Sequence, residues 1–308
     1  MRKSMKRVMA VCMTAVLAVG ALTACGGQKN TAGNGAGEPV KAADEGAAAD
    51  AKADGGAGEK KVLKVAMECS YAPYNWTQPT DANGAVPIVD SPDYAYGYDV
   101  MMAKKIADEL GYELQILKLD WDSLVPAVQS GKADCVIAGQ SITADRLQSV
   151  DFTEPYYYAT IVTLVKSGSK FENATSVADL AGATCTSQLN TIWYNNCLPQ
   201  IPDATIQPAQ ESAPAMLVAL SSGRCDLVVT DKPTGQAALI AYPDFKLLDF
   251  TGTEGEFKVS EEDINIGISL KKGNTELKDA INGVLAKMTE EDYNKMMEEA
   301  ISVQPLSE

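Results

Sequence analysis

The chain contains no histidine. That excludes Ser–His and Cys–His nucleophile systems and every His-containing metal site, so catalysis would have to rest on carboxylates, lysine or tyrosine. Basic residues are also scarce: 26 Lys and Arg stand against 41 Asp and Glu, a net charge of −15. This balance argues against nucleic acid and against adhesion to anionic lipid. Long apolar runs are missing apart from Val8 to Leu22, and about fifteen residues are too few to span a bilayer comfortably. Cysteine is present but lacks metal-ligand spacing. Beyond Cys12 and Cys25, Cys69, Cys135, Cys185, Cys197 and Cys225 are odd in number, and four of them fall in or beside predicted strands. There a free thiol acts as a small apolar side chain. One disulfide, Cys185 with Cys197, is open to an exported chain. Neither a metal nor another cofactor is expected.

The short apolar run has a context. Arg2, Lys3, Lys6 and Arg7 precede it, and Leu22-Thr23-Ala24-Cys25 follows. A charged start, an apolar stretch and small residues before the cut describe an export signal over residues 1–24. Leu-x-Ala-Cys resembles a bacterial lipobox, which makes Cys25 the lipidated first residue of the mature chain. Two acyl chains give stable anchoring, so the expected location is the outer face of the cytoplasmic membrane. Residues 25–61 are rich in Gly, Ala, Asp, Lys and Glu, with Val40 the one large apolar residue before Lys60. Such a composition cannot bury enough surface to offset its ordering entropy and reads as a flexible tether.

One unit occurs twice. Ala127-Val128-Gln129-Ser130-Gly131-Lys132-Ala133-Asp134-Cys135-Val136-Ile137 is echoed by Ala219-Leu220-Ser221-Ser222-Gly223-Arg224-Cys225-Asp226-Leu227-Val228-Val229. Each copy reads as a helix end, a glycine stop, a basic-x-Asp turn and a β-branched strand. Ala138-Gly139-Gln140-Ser141 follows one copy, and Thr230-Asp231-Lys232-Pro233 the other. Ligands of open α/β sheets bind beyond the carboxyl ends of strands, so two such ends point to one ligand held between two similar lobes.

The remaining pattern alternates strands and helices, which predicts an α/β fold with largely parallel sheets. Strands are expected at 61–67, 113–118, 134–138, 183–187, 226–230 and 264–270, with a β-rich stretch at 156–165. Helices are expected at 98–110, 121–128 with Asp122 as N-cap, 177–180, from 191, 214–220, 277–288 and 293–301. Residues 77–96 read as an irregular excursion.

Two segments then carry a resemblance. Gly97-Tyr98-Asp99-Val100 opens a helix-patterned stretch, and Ser141-Ile142-Thr143-Ala144-Asp145-Arg146 is followed by Val150-Asp151-Phe152-Thr153-Glu154-Pro155-Tyr156-Tyr157. Together these resemble the amino-acid-binding extracellular solute-binding proteins, family 3 type, of ABC uptake transporters, over about residues 62–303. Met101 departs from the pattern, an acid being usual there. The resemblance implies a two-lobed, type II periplasmic-binding-protein-like fold, each lobe a mainly parallel sheet flanked by helices. Lobe one would be 62–156 with 267–308, lobe two 160–262, and a two-strand hinge would lie near 156–160 and 263–266. It also implies a free amino acid as ligand, ABC permease subunits as partners, and a monomer anchored through the lipid on Cys25.

A free amino acid presents a carboxylate and an ammonium on adjacent atoms. Arg146 suits the carboxylate, since its planar guanidinium makes two parallel charge-assisted bonds. Asp231 suits the ammonium, although a helix N-cap would also account for it. Gly139 and Ser141 are expected to add backbone and hydroxyl contacts. Thr191 falls at a helix start, which favours a carboxylate, with Asn190 where the family usually has Gly. Glu68, Tyr71, Trp121, Gln140 and Gln188 would line the side-chain pocket. An acid beside two aromatics suits a cation, so lysine or arginine is the expected ligand and glutamine or another polar amino acid the alternative. A ligand-presenting sensor lipoprotein and a lyase on the same scaffold are the competing classes.

Overall fold

The computed structural model describes residues 60–305. The export signal, Cys25 and the tether up to residue 59 lie outside the described residues.

Strand β1 (Val62–Met67) leads into four short strands, β2 (Ser70–Tyr71), β3 (Asn75–Gln78), β4 (Val86–Pro87) and β5 (Tyr94–Tyr96), and then into helix α1 (Tyr98–Leu110). Next come β6 (Glu113–Lys118), α2 (Leu124–Ser130), β7 (Cys135–Val136), the short α3 (Ala144–Leu147) and β8 (Val150–Phe152). β9 (Tyr157–Tyr158) leaves this set for β10 (Ile161–Lys166), β11 (Thr184–Thr186), β12 (Thr205–Ile206), α4 (Ala213–Ser221), β13 (Leu227–Asp231), α5 (Lys232–Ala241) and β14 (Phe245–Asp249). α6 (Glu261–Ile264) and β15 (Asn265–Ile266) return the chain to β16 (Ser269–Lys271), α7 (Thr275–Leu285) and α8 (Glu290–Val303).

Two five-stranded sheets result, with orders β6-β1-β7-β16-β8 and β12-β11-β13-β10-β14. Each has three parallel strands on one side, extended by two antiparallel pairings. The antiparallel part arises because β10 and β16 enter their sheets just after a crossing from the other. Where the chain crosses, β9 and β15 pair antiparallel, Tyr157 opposite Ile266 and Tyr158 opposite Asn265.

The repeated unit occupies the same place in both sheets. Gly131 and Gly223 both have positive φ, and the following Lys132 and Arg224 donate their N–H to Ala127 O and Ala219 O. The Asp of each copy then does the same work. Asp134 Oδ2 accepts from the Lys64 N–H at 2.8 Å, and Asp226 Oδ2 from the Thr184 N–H at 2.9 Å. Each carboxylate thus ties the strand to its parallel neighbour at the start, leaving β7 and β13 fully buried with their carboxyl ends free.

Several expectations are corrected. Residues 77–96 are not irregular: β2, β3, β5 and β4 form a small antiparallel sheet. Trp121–Ser123 is a separate 3-10 turn preceded by Asp120, so Asp122 is not the N-cap. The strand expected over 264–270 is broken into β15 and β16. From Thr191 the chain makes a wide π-helical turn at Trp193–Cys197 and a 3-10 turn at Leu198–Gln200. Cys185 and Cys197 are not joined, since all five described cysteines are free and buried. Gln304, after α8, donates through Nε2 to Ala237 O on α5 at 3.1 Å.

The start of α1 fixes the loop after β2. Tyr98 N–H donates to Pro73 O at 3.1 Å and Asp99 N–H to Tyr74 O at 2.7 Å, while Asn75 Nδ2 donates to the buried Asp99 carboxylate at 2.7 Å. Gly97 permits this approach with φ 122°, and a Cβ there would run into the Tyr74 carbonyl. Gly97→Ala is therefore expected to lower stability by at least ~1–3 kcal/mol, the scale of a strained backbone position. Urea unfolding checks this, and an unchanged midpoint would contradict it.

Candidate functional site

Asp231 ends β13, and its counterpart in the repeat, Gly139, lies three residues beyond the end of β7; the side chains around these two places meet across the gap between the two sheets. Asp231 closes β13 and is the N-cap of α5. Its Oδ1 accepts from the Thr234 N–H at 2.9 Å, its Oδ2 from the Thr234 hydroxyl at 3.0 Å and from the Tyr71 hydroxyl at 2.5 Å. Tyr74 adds a long contact of 3.4 Å. Every donor is neutral, the side chain is buried, and burial outweighs these hydrogen bonds in raising the carboxyl pKa. Gly139, with φ 62°, gives Tyr71 room: a Cβ there would sit 2.7 Å from its ring.

Arg146 faces the gap from the first turn of α3, whose N-cap Thr143 accepts from its backbone N–H. The guanidinium donates to two carbonyls, Ser141 O at 2.8 Å and, across the gap, Asn190 O at 3.0 Å. It lies over the Trp121 ring at 5.3 Å. Burial lowers its pKa to about 10. Neither Arg146 nor Asp231 belongs to an ion pair: those among the described residues are Lys166–Asp244, Lys232–Asp249, Lys258–Glu256 and Lys287–Glu109. A charge withdrawn from water without an opposite partner is costly, and here the buried Asp231 and the half-buried Arg146 face the same gap.

Glu68 follows β1, is 5 % exposed, and accepts from Gln188 Nε2 across the gap at 3.3 Å through Oε1. Its Oε2 is buried without a hydrogen-bond partner. Burial raises its pKa to about 7, against the opposing pull of Gln188. A cavity of about 700 Å³ opens beside it, lined by Trp121, Asp122, Leu189 and Glu211 among others. A second, of about 450 Å³, is lined by Arg146, Asn190, Thr191 and Asp263. Between them the Asn190 side chain, at φ 56°, donates to Asp122 Oδ1 at 2.7 Å.

The structure brings together Glu68 with Gln188, Tyr71 with Asp231 and Gly139, and Arg146 with Trp121 and the Ser141 carbonyl, whereas Gln140 turns away. Its side chain accepts from the Ser269 hydroxyl at 2.8 Å and is buried in the first sheet, so it does not line a side-chain pocket. Thr191 uses its hydroxyl locally, donating to Gln188 O at 2.7 Å. Tyr74, Thr234 and the Asp122–Asn190 pair were missed. Thr234 had a signal in the Asp-x-x-Thr spacing of an N-cap, and Tyr74 in its place three residues after Tyr71. Asp99 was missed as well. It accepts from the Tyr156 hydroxyl at 2.7 Å, and that hydroxyl in turn accepts from the Gly139 N–H at 3.1 Å.

The buried acids set a pH dependence. Glu68 and Asp99 both rise to about 7, from ordinary values of 4.5 and 3.8, chiefly through burial. An acid with a raised folded pKa binds its proton more tightly in the folded state. Its contribution is therefore full below the unfolded value and is lost as pH climbs through the folded one. Stability should fall between about pH 5 and 7, by at most ~1.4 kcal/mol per pH unit for each group. Glu68→Gln should flatten the slope, and comparing urea midpoints of the two proteins separates this effect from general acidic repulsion. Equal slopes would show that Glu68 does not titrate in this window.

Sequence and structure comparisons agree on one family. The family model of bacterial extracellular solute-binding proteins, family 3, matches residues 63–302. A probable histidine-binding protein of Neisseria gonorrhoeae is 29% identical over 90% of this chain and 89% of its own length. A putative ABC transporter arginine-binding protein of Escherichia coli is 27% identical over 76% of this chain and 90% of its own. Other relatives are named for cystine and glutamine binding. Among solved structures, an amino acid ABC transporter substrate-binding protein of Streptococcus pneumoniae bound to L-arginine superposes with a TM-score of 0.66 at 28% identity, covering 78% of this chain and 94% of that one. The chain belongs to the bacterial extracellular solute-binding proteins, family 3.

Proposed function

We propose that the protein binds a free amino acid between its two lobes and delivers it to an ABC permease. The observation that carries this reading is a pair of unmatched charges, the half-buried Arg146 and the buried Asp231, facing one gap. A zwitterion supplies both missing partners at once: its carboxylate meets the Arg146 fork, and its ammonium replaces the Tyr71 hydroxyl on Asp231. The two crossings at β9 and β15 act as the hinge about which the lobes open, and the Asp122–Asn190 and Arg146–Asn190 contacts close the rim behind the ligand. Binding rather than catalysis is the role, since the buried acids have places in this scheme and the chain has no histidine.

Among amino acids, lysine or arginine is favoured over glutamine. Glu68 Oε2 lacks a donor, and a cationic side chain would provide one together with the charge that lets Glu68 ionise. The names of the histidine- and arginine-binding relatives agree with this choice. Export as a monomer, tethered through the lipid on Cys25, completes the proposal.

Thermal unfolding against each amino acid, after unfolding and refolding to remove retained ligand, tests the reading. A ligand at a hundred times its Kd adds about 2.7 kcal/mol, so arginine or lysine should raise Tm visibly. A response to glutamine alone would keep the receptor and demote Glu68. Arg146→Ala should abolish every such response, and retained micromolar affinity would remove Arg146 from the site. Glu68→Gln should weaken a basic ligand by roughly 1.5–3 kcal/mol, the scale of a hydrogen bond to a charged group. Calorimetry reads both variants.

A further inference from the structure

The 700 Å³ cavity is larger than a free amino acid side chain needs, and its charges are unevenly placed. Glu68 sits at its depth, with Oε2 buried and unpartnered. Asp120 and Asp122 from the first lobe and Glu211 from the second are exposed at its edge. Lys118 is the one cation in the lining, and its Nζ donates to Thr77 Oγ1 at 2.8 Å. Trp121 supplies an aromatic wall. The same cavity is lined by the buried acid and by these exposed ones, so it runs from Glu68 to the protein surface. Three further carboxylates there attract positive charge, and the indole favours a weakly hydrated cation.

We propose that this chamber admits cations substituted beyond the charged group, so that the receptor takes basic amino acids with N-alkylated or elongated side chains as well as unmodified ones. The proposal rests on the basic-ligand reading above. Glu68 accepts a remaining N–H of the cation, while alkyl groups project towards the surface between Trp121 and the edge acids. A pocket that ended at Glu68 would reject the same groups by overpacking.

Calorimetry with the refolded protein, comparing arginine with Nω,Nω-dimethylarginine, tests it. The two Kd values are expected to lie within about fivefold of each other. A loss of about a hundredfold or more on methylation, the scale of forcing two methyl groups into a packed site, overturns the proposal while leaving the receptor reading intact. Failure of arginine itself to bind removes the basic-ligand reading and this proposal together. The double variant Asp120→Asn, Glu211→Gln should weaken dimethylarginine by about threefold to tenfold, a loss of one or two partly screened charge interactions. An unchanged constant in that variant places the cation elsewhere and also overturns the proposal.

Discussion

The structure turns on a carboxylate that no cation neutralises. Asp231 is buried at the end of β13 and held by Thr234, Tyr71 and, at longer range, Tyr74. Neutral donors solvate its charge without cancelling it, so the closed arrangement carries an electrostatic deficit that only a positive group can remove. Arg146 carries the opposite deficit, with two carbonyls where a carboxylate would bind more strongly. The fold holds these two groups apart rather than letting them pair: one follows β7, the other ends β13, and the crossings between their sheets are short.

The placement of these groups follows from the duplicated unit. Asp134 and Asp226 pin β7 and β13 to their parallel neighbours by the same hydrogen bond to a backbone N–H. The residues immediately after each strand are thereby delivered to the same relative place in each lobe. From there the two copies diverge: a glycine beyond one strand gives Tyr71 room, and an aspartate at the end of the other receives its hydroxyl. The α1 start then anchors the tyrosine loop through Asn75 and Asp99.

Much of this was legible in the sequence because it rests on local patterns. The glycine stops, the β-branched strands and the Ser141–Arg146 run gave both strand ends and the two charged residues. What stayed hidden depends on approach between distant segments. Gln140 follows β7 between Gly139 and Ser141, yet its amide finds Ser269, which lies 129 positions away. The sheet over residues 70–96 forms from strands of two to four residues, too short for a period-2 signal to stand above their turn residues. Asn190 reads as a departure from the family loop. Its left-handed backbone keeps the turn, and its side chain and carbonyl both reach the other lobe, to Asp122 and Arg146.

The most direct test of the central claim is a crystal structure of the refolded protein with arginine. The account predicts the ligand ammonium on Asp231, the Tyr71 hydroxyl displaced from it, and the ligand carboxylate on the Arg146 guanidinium. A complex in which the Tyr71–Asp231 hydrogen bond persists, with the amino acid bound elsewhere, would contradict it.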